Sequence, residues 1–362
     1  MENSLSDYIK VIENRIDKNL ISSLYLSRIK NITDIFPSQI TSMFGFECRL
    51  GDNNQEADFA FSIQPDMVTL LKNIASEENF WPENIIWNRV SNFINCLDES
   101  DLKDIISIIW LEFDMNEHVK DIPDPGVFIS FERYLKHNRL KLSKEDKIKA
   151  CLSASERVLS SLRGSHFFEK IRPAFIKVLR LLPENSMLFQ VGTMLSRPGE
   201  FIRICITNIT QEEIIHFLEE MNWPGSTGEL YEILNNLSKF SDLIVLALDL
   251  GEIILPKVGI EISFLENKIL KGEPKWKRFL NYLTDEKLST QKKSEALLAY
   301  PGYIPETPDI AFWPINLQEA SIFWGKGIFI NKLDHFKIVY QHGFPLEVKA
   351  YLAVYQEWIK KT

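Results

Sequence analysis

Cysteine and histidine are sparse, with four cysteines and six histidines in 362 residues. Cys48, Cys96, Cys151 and Cys205 stand far apart, without a Cys-x-x-Cys pair and without histidines at ligand spacing. That excludes the usual zinc patterns and predicts four reduced, mostly buried thiols, as in a cytosolic protein. No run approaches the ~18–20 apolar residues of a membrane span. The N-terminal stretch Met1–Asp17 is charged and amphipathic, with no apolar signal core. A cytoplasmic protein with no membrane insertion is therefore expected. Positive charge is not in excess: 41 Lys and Arg face 50 Asp and Glu, for a net charge of −9. Nucleic acid is thus not an expected partner. There is no G-x-G-x-x-G between a strand and a helix, no P-loop and no G-x-S-x-G, so neither a nucleotide nor a flavin cofactor is expected.

What is present is a repeated pattern. The composition, 45% hydrophobic and 25% charged, suits a packed core. Five stretches read as antiparallel hairpins: 46–50 with 58–63, 108–115 with 126–131, 188–195 with 201–206, 243–250 with 258–264, and 335–340 with 347–354. Each pair is joined by a polar or Gly/Pro-bearing turn, such as Ser196-Arg-Pro-Gly-Glu200. Helix-period sequence lies between the hairpins: 5–40, 67–76, 83–96, 144–162, 167–182, 211–221, 228–240, 274–283 and 290–299. Ser143-Lys-Glu-Asp146 and Thr210-Gln-Glu-Glu213 have the form of helix-starting capping boxes. The segment 300–332, rich in Pro, Gly and aromatics, reads as a long connection or lid over one end of the structure. The whole chain, 1–362, is taken as one domain.

Side chains alternate faces along a strand. Strand after strand then has one aliphatic face and one polar face: Phe44, Phe46 and Cys48 against Glu47 and Arg49, or Ile202, Ile204 and Ile206 against Arg203 and Cys205. Amphipathic helices must cover the aliphatic faces. Ten paired strands tend to curl and close, which places Glu47, Arg49, Trp110, Glu112, Asp114, Arg203, Lys257, Glu261, Lys337, Lys349, Tyr351 and Tyr355 in a lumen. The alternative is an open sheet whose polar face is simply solvated.

This order of elements resembles the ABBA prenyltransferases, whose five αββα-type repeats form a ten-stranded antiparallel barrel ringed by helices (the PT barrel). Two short patterns add to it. Val348-Lys-Ala-Tyr-Leu352 is similar to a Lys-x-Tyr strand of fungal indole members, and Trp110-Leu-Glu-Phe-Asp114 to a strand of theirs ending in Phe-Asp. A second Lys-x-Tyr after Asp114 is missing, which leaves the acceptor class open. There is also no DDxxD-like cluster of the helical isoprenoid synthases. The resemblance implies an α+β fold and a transferase that moves an allylic prenyl group from its diphosphate to a small aromatic or peptide acceptor. The alternative is a non-catalytic barrel holding a hydrophobic ligand or peptide. For transfer, Arg49, Arg203, Lys257, Lys337, Lys349 and the Tyr351 hydroxyl are the candidates for gripping the diphosphate. Trp110, Tyr351 and Tyr355 are candidates for shielding the allylic cation. Glu47 and Glu112 are candidates for taking the acceptor's proton. Magnesium, if used, is expected on the diphosphate with Asp114.

Overall fold

The computed structural model describes residues 3–52, 54–75, 85–98, 101–115, 122–138, 141–264, 273–307 and 312–360. Ser76 and Glu83, the outer limits of two expected helices, lie outside them. Among the described residues eleven strands form: β1 (Met43–Arg49), β2 (Ala57–Ile63), β3 (Ile108–Phe113), β4 (Gly126–Ser130), β5 (Met187–Met194), β6 (Ile202–Thr207), β7 (Leu243–Leu250), β8 (Ile254–Ser263), β9 (Gly302–Pro305), β10 (Lys326–Tyr340) and β11 (Glu347–Ile359). Each of the five expected hairpins is present. Every neighbouring pair is antiparallel, running from β1 through β8 to β10 and β11. The sheet then closes, because β11 pairs with both β10 and β1, the latter from Met43 opposite Tyr355 to Arg49 opposite Lys349. The result is a ten-stranded antiparallel barrel inside a coat of helices.

The alternation explains the layering. On β1, Phe44, Phe46 and Cys48 are buried, while Glu47 and Arg49 face the lumen and are only half-buried. The aliphatic and aromatic faces pack outward under the helices. Phe61 and Phe113 meet Phe36 and Trp87 from the helical layer, with centroids 4.8 Å (Phe36–Phe61) and 6.4 Å (Trp87–Phe113) apart. Across the barrel, Trp276 packs on Phe264 at 4.2 Å and on Phe336 at 5.2 Å. Each such ring contributes about 1.5–3 kcal/mol by leaving water.

Local signals start the helices as expected. Thr210 and Glu213 form a reciprocal capping box at the helix Gln211–Glu220 (Glu213 N–H to Thr210 3.2 Å, Thr210 N–H to Glu213 2.8 Å). Ser143 caps the helix Lys144–Arg163. The segment 300–332 differs from the expected connection. It holds β9, a helix over Ile315–Trp324 and the first part of β10. β10 and β11 thus run past the barrel wall. β9 pairs with β10 there, at Gly302–Asn331 through Pro305–Ile328. No helix among the described residues is long and apolar enough to cross a membrane.

Candidate active site

Lumen-facing positions at one end of the barrel converge on a cavity of about 80 Å³. Its lining includes Arg197, Arg203, Lys257, Lys337 and Lys349, opposed by Glu47, Asp249 and Glu347. The lining holds five cations and three carboxylates, and Asp114 and Glu261, paired with Arg197 and Lys337, bring the cluster to five against five. The strand register sets this up. Arg203 sits opposite Asp249 on β6 and β7, Lys337 opposite Glu261 on β10 and β8, and Lys337 opposite Lys349 on β10 and β11. Gly259 leaves the room that Lys337 crosses, since a Cβ there would lie 2.4 Å from the Lys337 Cε.

The cations are held by carboxylates, of which Glu47 and Asp249 line the cavity with them and Asp114 and Glu261 lie outside the lining. Arg203 donates from Nε and one Nη to Asp249 (2.9 and 3.1 Å). Lys337 donates to Glu261 (2.9 Å) and Lys349 to Glu47 (2.5 Å). Lys257 is exposed at the mouth and makes no ion pair among the described residues. These pairs leave donors over: a guanidinium and an ammonium each carry more N–H groups than one carboxylate engages. The partners fix where the spare donors point.

Ionisation follows from this wiring. Burial opposes the charge of Glu47, yet Lys349, with the hydroxyl of Tyr351, carries its carboxyl well below the usual range. Burial likewise opposes Lys337, but Glu261 raises its pKa, and Lys337 lowers that of Glu261. Glu112 differs. Burial first, and the negative charge of Glu47 second, push it up to about 7. No ion pair or hydrogen bond holds its carboxyl among the described residues, and it lies on β3 opposite Ala60 and Gly126. Asp58 is also pushed up to about 7, by burial and by Glu47.

The other sequence-derived candidates divide. Arg203, Lys257, Lys337 and Lys349 meet at the cavity; Arg49 does not line it and instead pairs with Asp58 (3.2 Å) and Glu56 (3.3 Å). The Tyr351 hydroxyl donates to Glu47, and its ring stacks on His335 with centroids 4.0 Å apart. Tyr355 has Lys332 over its ring at 3.9 Å, so that face already holds a cation. Trp110 occupies the lumen position next to Glu112 on β3 and is half-buried. Asp114 accepts from Arg197 through both oxygens (2.6 and 2.7 Å) and from Ser196 (3.0 Å). That occupancy leaves it poorly fitted to a metal, and among the described residues no group of three or more His, Cys, Asp or Glu is placed to hold one. Arg197 is the residue that strand alternation misses. It sits in the turn between β5 and β6, where face patterns do not apply; the turn motif Ser196-Arg-Pro-Gly is the only signal near it.

No protein-family model matches the chain, and no curated protein matches it in sequence. Solved structures do match its architecture. PriB in a binary complex with product diphosphate aligns over 96% of this chain and 95% of its own, with TM-score 0.54 at 9% identity. The 5-dimethylallyltryptophan synthase of Streptomyces coelicolor aligns over 97% and 98%, with TM-score 0.51 at 11% identity. The 6-dimethylallyltryptophan synthase of Micromonospora olivasterospora, in complex with DMASPP and Trp, aligns over 96% and 97%, with TM-score 0.52 at 10% identity. With its closed ten-stranded barrel and helical coat, the chain has the PT-barrel fold of the ABBA prenyltransferases.

Proposed function

We propose that the protein transfers a prenyl group from an allylic diphosphate to a small aromatic acceptor held in the barrel lumen. The observation that carries this reading is the convergence of Arg197, Arg203, Lys257, Lys337 and Lys349 on one cavity inside a closed wall. Similar folds bound to product diphosphate, or to DMASPP and Trp, support it.

The chemistry asks three things of the lumen. The allylic C–O bond breaks and its electron pair leaves with the diphosphate, so negative charge develops where the spare N–H donors converge. Arg197 and Arg203 offer planar forks, and the lysines offer point charges. The carbocation must meet π-electrons before water. Trp110 and the ring of Tyr351 are the walls for this, each worth about 0.5–2 kcal/mol. The acceptor ring attacks, a C–C bond forms, and the ring's displaced proton needs a base. Glu112, near 7 and without a competing partner, is matched to that task; Glu47, tied to Lys349 and Tyr351, is a poorer base and a better anchor.

One observation favours the second reading, a barrel that binds without chemistry: four of the five cations already face carboxylates, and the cavity is only about 80 Å³. A single experiment separates the two. The protein is incubated with radiolabelled C5, C10 and C15 allylic diphosphates, with tryptophan and other small aromatics as acceptors. Prenylated acceptor together with released diphosphate is the expected result. Retention of intact allylic diphosphate, with no transfer for any pair, establishes the binding reading.

A further inference from the structure

His335 is a lumen residue that the chemistry above leaves unused. It lies on β10 opposite Tyr351 on β11, two places before Lys337 on the same face. Its ring stacks on the Tyr351 ring, with centroids 4.0 Å apart and planes inclined by 16°. Its Nδ1 lies 2.9 Å from a carboxylate oxygen of Asp334. Neighbours along a strand ordinarily point to opposite faces, so two of them meet only where the ladder is broken. The register of β10 on β11 shifts at that place, between Leu333 and His335. A bulge of this kind re-aims a side chain and is frequent beside active sites. A carboxylate only accepts, so Nδ1 carries the hydrogen of the neutral ring and Nε2 is left as a bare acceptor. Nε2 makes no hydrogen bond among the described residues, and the side chain is 23% exposed.

We propose that His335, oriented by Asp334, is a catalytic base that takes the proton of the acceptor's own O–H or N–H group; the proposal rests on the transfer reading above. The placement suits two bases with separate tasks. β3 and β10 stand four strands apart in the closed wall of ten, by way of β2, β1 and β11, so Glu112 and His335 face each other across the lumen. Tyr351, on which His335 lies, feels the charges of Glu47, Glu261 and Glu112, which sets them around one chamber. The other carboxylates there are engaged: Glu47 by Lys349 and Tyr351, Glu261 by Lys337. For a phenol, a ring carbon bonds to the allylic cation, the O–H electron pair becomes the C=O π bond, and the proton passes to Nε2. The intermediate is a neutral ketone; an indole N–H gives the matching imine. Glu112 then takes the proton from the new tetrahedral carbon, the ring regains its aromaticity, and His335 returns its proton to the heteroatom. One proton is left over, on Glu112. Without the first transfer the intermediate stays a cation, in a chamber that already holds Arg203, Lys337 and Lys349.

Two measurements on the full-length protein test this. In the first, protein carrying nitrogen-15 histidine is titrated with 2-naphthol and with 2-methoxynaphthalene, and the H335F spectrum identifies the His335 signals among the six histidines. The His335 Nε2 resonance should move with the naphthol and stay in place with the ether. This readout needs no turnover. A response without any prenylation sinks the transfer reading, and His335 as its base, and leaves only the contact; no response sinks the inference alone. The second measurement is the transfer rate from a C5 allylic diphosphate. The parent should prenylate the naphthol at least ~100-fold faster than its ether. H335F keeps a flat ring against Tyr351 and is checked for folding by circular dichroism; in it that ratio should fall to near one. D334N, whose amide holds the imidazole in either tautomer, should lower the ratio by ~10-fold or more. A ratio that survives in H335F, or an equal fall in both rates, makes His335 a packing ring only and overturns the inference.

Discussion

Glu112 is the side chain at which the structure and the proposed chemistry can be tested together. In the unfolded chain a glutamate ionises near ~4.3; in the folded barrel Glu112 keeps its proton to about 7. Between those values the folded state binds more protons, so its stability falls as pH rises through that window. E112Q removes this titration. The variant should match its parent below about pH 4 and be the more stable above pH 7, by at most about 4 kcal/mol at ~1.4 kcal/mol per pH unit. Denaturant titrations of both proteins across that range check it. Asp58 titrates similarly in both, so it cancels in the comparison. Transfer should fall by ~10²–10⁴-fold, while release of diphosphate from the substrate persists, because the cation still forms and water can capture it. Equal loss of both would remove Glu112 from the role of base. At this scale the sequence was readable wherever a residue lay on a strand: Glu112, Arg203, Lys337 and Lys349 face the lumen as period-two alternation requires. The partners were less readable. Arg49, expected with the diphosphate-gripping cations, instead reaches Asp58 and Glu56, because cross-strand neighbours depend on register, which face alternation alone does not fix.

At the level of elements, β8 and β10 show how a backbone choice places a charge. Gly259 stands opposite Val339 and lets Lys337 lie across β8 to reach Glu261. G259A puts a methyl group where the Lys337 Cε now sits. The ammonium must then leave its carboxylate or the strands must part. We expect a loss of about 1–3 kcal/mol in stability, and diphosphate affinity at least ~10-fold weaker. Chemical denaturation and isothermal titration with inorganic pyrophosphate measure the two. Unaltered affinity would place Lys337 outside the anion site. Strands and helices of ordinary length were legible here, because alternation and capping boxes are local signals: β7, Leu243–Leu250, has its expected limits, and the helix Gln211–Glu220 starts where Thr210 and Glu213 indicate. The segment 300–332 was not. Its Pro and Gly residues read as breakers, yet β9 needs only four residues on a sheet edge, and β10 carries its early part as an extension that β11 stabilises from far along the chain. Tertiary pairing of that kind outweighs local propensity.

For the whole molecule, closure is what turns scattered charges into a site. Arg197, Arg203, Lys257, Lys337 and Lys349 come from β5–β6, β6, β8, β10 and β11, spread over more than 150 residues of chain, and only the β11–β1 pairing completes the wall around them. A ligand that bridges them ties distant strands together and must therefore stabilise the fold as a unit. Inorganic pyrophosphate should raise the melting temperature in a dose-dependent way. At a hundredfold excess over its dissociation constant the gain is about 2.7 kcal/mol, or a shift of several degrees for a chain of this length. Raising the salt from about 0.1 M to 1 M shortens the screening length from ~10 to ~3 Å, and the exposed part of the attraction should fade with it. Lys257 gives the cleanest control. It has no carboxylate partner among the described residues, so K257M strands no buried charge, as removing Arg203 or Lys349 would. The K257M protein should melt with its parent when no anion is added, and need roughly tenfold more pyrophosphate for the same shift. A pyrophosphate response of equal size in both proteins would mean that the anion binds elsewhere. The convergence of five cations would then serve only to balance the carboxylates around them.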